Sequence, residues 1–323
     1  MGTSSVDVAP VPVERDDMKA GRKLKLQPGP KSTVAKQQER LGWMLVFPSV
    51  LVVVLVAIYP LVESFRLSFT NLRATRPDRW RYIGVENYRD LFADSTFLKA
   101  LWNTIVFTVA SVGIETVLGM VIALTIHSNF RGRGMVRTSM LVPWAIPTVV
   151  SSLLWIWMFN DRYGVVNAVF RAFGFDQFTN FDWTGDPTTA LGAVVAVDVW
   201  KTTPFMALLL LAGLQVIPED VYEASRVDGA SKWQQFWQIT LPLLRPALLV
   251  ALIFRTMASF RVFDMIFVMK NYATETMSVA VYTHRELVAS QKIGYGSAAA
   301  VVIFLCIGLM VIGYTRLIRV EEG

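Results

Sequence analysis

The feature that most constrains this chain is a series of long stretches without a charged residue. Residues 41–62 form the first, with 22 uncharged positions, and residues 138–160 and 293–315 form two more of similar length. A helix rises about 1.5 Å per residue, so about 20 apolar residues cross a hydrocarbon core of about 30 Å. The sequence therefore predicts several membrane-spanning helices.

The composition agrees with a membrane protein. Hydrophobic residues make up 54% of the chain and charged residues only 17%, whereas soluble domains average about 25% charged residues. The net charge of +6 could suggest a nucleic-acid partner, but the basic residues cluster beside the apolar stretches, as orientation signals do. We therefore expect a lipid bilayer as the environment and no nucleic-acid partner.

The charge-poor stretches predict an all-α polytopic membrane protein with six transmembrane helices. The predicted spans are residues 41–62, about 101–126, 138–160, about 189–215, about 246–269 and 293–315. Pro143 and Pro147 are expected to kink the third span. Six spans place both termini on one side, and the Lys/Arg distribution favours the cytoplasm for them by a small margin.

The remaining segments are polar. Residues 1–40 are rich in Pro, Lys and Gln and poor in large apolar residues, which predicts a disordered, basic cytoplasmic tail. The six-helix domain would then cover residues 41–318, with a short cytoplasmic C-terminus at 319–323. Segments 70–99 and 161–186 are expected outside the cell. Each is a candidate to meet a solute receptor or, as an open alternative, a solvated cap with interfacial Trp and Tyr anchors.

Ionisable residues inside the fourth and fifth spans are the strongest candidates for a function. Burying such a group in a membrane costs about 2.5–3.5 kcal/mol or more, so it usually faces the bundle interior or a watery path. Asp198, Lys201, Thr202 and Phe205 follow an i, i+3, i+4, i+7 pattern, which places them on one face of the fourth span. Arg255 and Ser259 share a face of the fifth span in the same way.

Two interpretations of these residues remain open. In the first they line a path for a polar solute such as a sugar, and the candidate path residues are Asp198, Lys201, Thr202, Phe205, Arg255, Ser259 and Asp264. In the second they only hold helices together, with Asp198 paired to Lys201 or a neighbour and Arg255 paired to Asp264. Glu115 in the second span is expected to be a structural hydrogen-bonding residue.

Residues 216–242, here called the docking segment, lie between the fourth and fifth spans. Pro218 suits the first turn of a helix, and Asp228-Gly229 is a turn signal that divides the segment into two short helices. One face is small, with Ala224, Ser225 and Ala230, and another is apolar. A polar loop would suffice to join two spans, so a shaped helical segment indicates a docking partner.

The docking segment resembles the "EAA" loop of permease subunits from binding-protein-dependent ABC importers of the maltose-type sugar branch. The resemblance rests on residues 221–225, Asp228-Gly229-Ala230, Phe236, Ile239, Leu241-Pro242 and Pro246. Ser225 departs from the family, which usually has Ala there. Weaker similarity extends over roughly residues 41–317.

The resemblance implies a mechanism and a set of partners. Partner ATPases would contact the docking segment through Glu223, Ala224, Ser225, Asp228, Gly229 and Ala230. The family assembles two related permeases, two ATPase subunits and an extracytoplasmic sugar-binding protein in the cell membrane. ATP and Mg²⁺ are bound by the ATPase subunits, so we expect no cofactor, metal or catalytic residue in this chain and no enzyme activity of its own.

The substrate prediction rests on shorter sequence segments. Residues 199–206, 254–256 and 260–264 resemble trehalose-importing permeases of actinobacteria, which indicates a disaccharide, trehalose first and maltose second. One alternative is an ion- or proton-coupled secondary transporter or channel that uses Glu115, Asp198 and Asp264 as relays without ATPase partners. Another is a membrane-bound enzyme, for which the sequence offers no catalytic constellation.

Overall fold

The computed structural model describes residues 33–128 and 130–321, with side chains over 37–128 and 130–316. The described residues form fifteen α-helices, together with short π-helices at Val54–Ile58, Phe236–Thr240 and Arg285–Ala289 and a 3-10 helix at Asp176–Phe178. A single isolated β-bridge in this part of the chain joins Thr70 to Tyr82. In chain order the helices are α1 Thr33–Val53, α2 Tyr59–Leu67, α3 Glu86–Ala93, α4 Ser95–His127, α5 Arg133–Met140, α6 Val142–Ala145, α7 Thr148–Met158, α8 Val165–Ala172, α9 Ala190–Leu214, α10 Glu219–Val227, α11 Lys232–Gln235, α12 Leu241–Phe260, α13 Asp264–Lys270, α14 Val279–His284 and α15 Ile293–Glu321.

The described helices provide five to six membrane spans. Five stretches are long and apolar enough to cross a membrane, namely Gln37–Leu67, Ser95–His127, Ala190–Leu214, Lys232–Lys270 and Ile293–Arg316. A sixth span results if the bent pair Arg133–Ala145 and Thr148–Met158 counts as one. The predicted all-α, six-span architecture is confirmed, and α15 continues past the predicted boundary at residue 318.

The described chain divides into two compact units, one that ends at Tyr59 and one that begins at Pro60. In the first unit α1 begins at Thr33, so the last residues of the predicted tail (1–40) are helical and residues 1–32 lie outside the described part. The apolar side chains of α1 are exposed, for example Leu45 at 71%. A helix that is apolar all round needs lipid or another protein around it.

In the second unit the core forms where three spans meet. Helix α4 packs along α9, and α12 packs against both. The close approach has a local cause at Gly213, where an added Cβ would lie 2.4 Å from the Ala247 Cβ. Two apolar clusters result, one around Phe107, Val197 and Tyr282 and another around Met206, Leu210 and Leu244.

The third span is broken rather than kinked. Ile146 adopts an extended conformation with ψ of 133°, and the helices on either side differ in direction by 92°. Proline disfavours the α conformation in the residue before it, and Pro147 therefore explains why α6 ends before Ile146. Pro204 and Pro246 lie inside α9 and α12 without ending either helix.

The fifth span also differs from the prediction of one helix over residues 246–269. Helix α12 ends at Phe260, residues 261–263 are not helical, and α13 begins at Asp264. Ser278 Oγ donates to the Val262 carbonyl at 2.7 Å, which satisfies a backbone group that the interruption leaves without a helical partner. The interruption moves Asp264 out of the long helix and into the first turn of the next one.

The two segments predicted to lie outside the cell have ordered structures. Segment 70–99 contains the short helix α3 and the first turn of α4. Asn87 Nδ2 donates to the carbonyls of Ser68 and Thr70 at 2.7 and 2.8 Å. Segment 161–186 folds around Trp183, whose Nε1 donates to Asn167 Oδ1 at 2.6 Å and whose ring stacks on Phe170. Both segments are held by side-chain contacts rather than by regular structure alone.

Candidate functional site

The docking segment contains two short helices, α10 and α11, joined by a turn at Gly229. Gly229 has a φ of +80°, in the left-handed region that favours glycine. The Ala230 amide donates to the Ser225 carbonyl at 2.9 Å and the Gly229 amide to the Arg226 carbonyl at 3.1 Å. These two bonds form a Schellman motif, which satisfies the last carbonyls of α10. The predicted division at Asp228-Gly229 is observed.

Side chains fix α10 and α11 to each other. Ser231 begins α11 with a capping box, in which its hydroxyl accepts from the Gln234 amide and the Gln234 side chain accepts from the Ser231 amide. Gln235 Nε2 donates to Ser225 Oγ at 2.9 Å, an interaction that the more usual alanine could not make. Pro218 occupies the N-cap of α10, one position before the predicted first turn.

Most of the predicted docking residues are exposed on this rigid segment. Glu223, Ala224, Asp228 and Gly229 are exposed, Ala230 is half-buried and Ser225 is buried. Val227, beside the turn, is 88% exposed. An ordered segment that presents small residues and an exposed valine has the form of a contact surface for another protein.

Five polar residues from three spans meet in a second site, here called the buried polar cluster: Glu115 of α4, Asp198 and Thr202 of α9, and Arg255 and Ser259 of α12. Arg255 lies among the other four. Its Nε contacts Glu115 Oε2 at 2.6 Å, and its Nη2 contacts Asp198 Oδ2 at 3.2 Å. Glu115 is fully buried, Asp198 and Arg255 nearly so, as buried charges in a membrane require.

The cluster corrects the pairing interpretation made from the sequence. Arg255 pairs with Glu115 and Asp198, and not with Asp264, which is exposed in the first turn of α13. Lys201 donates its Nζ to the Ile146 carbonyl at the break of the third span. Lys201 therefore satisfies a carbonyl that the broken helix leaves free within a membrane span.

Two of the predicted path residues are less buried than the charged members of the cluster. Thr202 and Phe205, one turn apart on α9, are both partly exposed. The Phe205 ring stacks on Trp144 of α6, with centroids 6.0 Å apart and planes 10° apart. The expectation that Glu115 is a structural hydrogen-bonding residue agrees with its bonds to Thr202 and Arg255, whereas Trp144 was not among the predicted path residues. No signal in the sequence could have joined Glu115 to Arg255 across 140 positions.

Comparison with known proteins gives the family. A sequence model of the family "Binding-protein-dependent transport system inner membrane component" matches residues 115–320. The sulfoquinovosyl glycerol transport system permease protein SmoG of Agrobacterium fabrum is 38% identical over 87% of this chain and 91% of its own length. The trehalose/maltose transport system permease protein MalF of Thermococcus litoralis is 37% identical over 89% and 97%.

Two further comparisons agree. The trehalose transport system permease protein SugA of Mycobacterium tuberculosis is 37% identical over 87% of this chain and 89% of its own length. A crystal structure of a bacterial alginate ABC transporter contains a chain of the same fold, with a TM-score of 0.76 and 22% identity over 87% of this chain and 94% of that one. The chain therefore belongs to the family of inner membrane components of binding-protein-dependent transport systems, and it is a multi-pass permease subunit rather than an enzyme.

Proposed function

We propose that this chain forms one half of the membrane path of an ATP-driven disaccharide importer. The three relatives described above are named for the transport of sulfoquinovosyl glycerol, of trehalose and maltose, and of trehalose. The observation that carries the coupling part of the proposal is the rigid α10–α11 segment, whose Schellman turn and capping box hold Glu223, Ala224 and Gly229 at the surface. Trehalose is the first candidate substrate and maltose the second.

The assembly follows the family pattern. A second, homologous permease completes the path, two ATPase subunits bind ATP and Mg²⁺, and an extracytoplasmic binding protein delivers the sugar. Both termini of this chain then lie in the cytoplasm, on the side of the docking segment. Closure of the ATPase dimer moves the docking segments, and the bundle alternates between inward- and outward-facing states, which is a coupling of two distant sites through a bistable element.

The path residues divide into two groups on geometric grounds. Phe205 is partly exposed and offers an aromatic face that suits a pyranose. Thr202 is also partly exposed, but its hydroxyl already bonds to Glu115, to the Asp198 carbonyl and to Arg255. Asp198, Arg255 and Ser259 also bond within the cluster, so these three residues and Thr202 become available to sugar only if the cluster opens. Lys201 holds the third span, and exposed Asp264 lies in the next helix.

Reconstitution into proteoliposomes tests the proposal. Labelled trehalose or maltose should enter only when this chain, its partner permease, the ATPase subunits, the binding protein and ATP are all present. Uptake by this chain alone, driven by a proton gradient without ATP, would favour a secondary transporter and contradict the proposal. A binding screen of the receptor against a panel of sugars then decides between trehalose, maltose and other carbohydrates.

A further inference from the structure

A cleft of about 1210 Å³ lies behind the docking segment. It opens between the ends of α4 and α9, the start of α5, and the helices α10 and α11. Part of its lining is apolar and comes from the ends of two membrane spans, with Leu124 and Ile126 on one side and Val216 and Ile217 on the other. The cleft thus lies at the ends of the candidate spans α4 and α9.

The rest of the lining is strongly basic. Arg133, Arg137, Arg226 and Lys232 line the cleft, against a single carboxylate from Glu219. Both sides of the cleft contribute, because two of the cations belong to α5 and two to the docking segment. Such a surface attracts an anion and repels a further cation.

One of these cations has a buried donor atom without an acceptor in the part of the chain that the structure describes. The Nε of Arg137 is buried and has no hydrogen-bond partner among the described residues. Buried N–H groups in proteins are nearly always paired, because an unpaired one loses its hydration without compensation. By contrast, the Nε of Arg226 has an acceptor, since it donates to the Tyr222 carbonyl at 3.2 Å.

We propose that the cleft binds the phosphodiester headgroup of an anionic phospholipid, with Arg137 and Arg133 as the main donors. Guanidinium groups match phosphate oxygens in geometry and charge, and basic pockets between spans are typical sites for acidic headgroups. The apolar lining beside the cations suits the glycerol and first acyl carbons. An acidic peptide segment would match the cations but would gain little from apolar span ends.

Native mass spectrometry of the intact transporter tests this site. The complex is mixed with phosphatidylglycerol or phosphatidylcholine, and the lipid retained is measured for the native chain, for Arg133→Gln, for Arg133→Gln with Arg137→Gln, and for Arg131→Gln. Arg131 is an exposed arginine two residues before Arg133, outside α5, and it does not line the cleft, so it controls for charge. Because Arg133 is exposed, Arg133→Gln is expected to fold as the native chain does.

The expected result is selective retention of phosphatidylglycerol. Its affinity should fall about fivefold for each cleft arginine removed and stay unchanged in Arg131→Gln. Equal retention by all variants would overturn the proposal. Displacement of the lipid by millimolar inorganic phosphate would also overturn it, because it would indicate a soluble anion as the ligand. Loss of ATPase subunits from the double variant with unchanged lipid retention would overturn it as well, because it would indicate a protein partner. These readouts do not require sugar uptake, so they stand apart from the proposed transport function.

Discussion

Arg255 of α12 and Glu115 of α4 form a two-point ion pair, with Nε 2.6 Å from Oε2 and Nη2 2.8 Å from Oε1. The same Nη2 lies 3.2 Å from Asp198 Oδ2 on α9. One guanidinium therefore joins three spans and serves two carboxylates. Because the three groups come from three helices, the pair specifies which faces of those helices meet.

Removing the arginine should destabilise the bundle strongly. Arg255→Met leaves two buried carboxylates without a cation, and breaking a buried pair from one side costs about 3–5 kcal/mol. The thermal unfolding midpoint of the purified complex should fall well below that of the native form. Arg261→Met is the matched control, because Arg261 is exposed just after α12. Equal midpoints for the two variants would contradict a structural role for the cluster.

The crossing of α9 and α12 should depend on one glycine. A Cβ at Gly213 would lie 2.4 Å from Ala247 Cβ and 2.7 Å from Leu244 Cδ1. Gly213→Ala should therefore push the helices apart, at an overpacking cost of about 1–3 kcal/mol, and lower the unfolding midpoint. Gly192→Ala on the same helix has no neighbouring atom within 4 Å and should be tolerated. Equal unfolding midpoints for the two variants would contradict the close approach of α9 and α12 at Gly213.

The turn of the docking segment should be needed for transport but not for insertion. Gly229 has a φ of +80°, where a side chain costs about 1–2 kcal/mol, so Gly229→Ala should strain the turn and Gly229→Pro should break it. We expect loss of ATP-driven uptake with normal amounts of protein in the membrane.

Two further variants separate strain from docking. Gly132→Ala places the same strain at φ +96° outside the docking segment and should leave uptake largely intact. Ala224→Glu changes an exposed residue without straining the backbone and should abolish uptake by blocking the ATPase contact. Normal uptake by both Ala224→Glu and Gly229→Pro would argue against docking at this segment.

A hydrogen bond between Tyr282 and Asp94 should give a pH-dependent part of the stability. The Tyr282 hydroxyl donates to Asp94 Oδ2 at 2.5 Å. Burial raises the pKa of Asp94, but the hydrogen bonds from Tyr282 and from the Thr96 amide outweigh it, so that pKa lies below its ordinary value of 3.8. The stabilisation is therefore fully present above pH 3.8 and is lost as the pH falls through the lowered pKa.

Tyr282→Phe tests this bond. At neutral pH the variant should lose about 1.5–3 kcal/mol, the range for a hydrogen bond to a charged group, measured as a lower unfolding midpoint. The difference from the native protein should shrink as the pH falls below 3.8. Tyr163→Phe changes a tyrosine that is 68% exposed and serves as control. A difference that does not vary with pH would mean that Asp94 is not the relevant acceptor.

Local features of the sequence predicted local features of the structure. Long stretches with few or no charged residues predicted the positions of the spans, since helix length and bilayer thickness fix how many apolar residues are needed. Pro147 marked the place where the third span breaks, and Gly229 marked the turn between α10 and α11. In each case the physical cause lies within a few residues, so no knowledge of the packing is required.

The partners of the buried charges were decided by the tertiary structure. Helical periodicity placed Asp198 and Thr202 on one face, but the predicted Arg255–Asp264 pair was wrong because the chain leaves α12 at residue 261 and Glu115 approaches from α4. The same holds for Lys201, which meets a carbonyl 55 positions away. A sequence fixes the face on which a side chain lies, whereas the group opposite that face depends on how the helices pack.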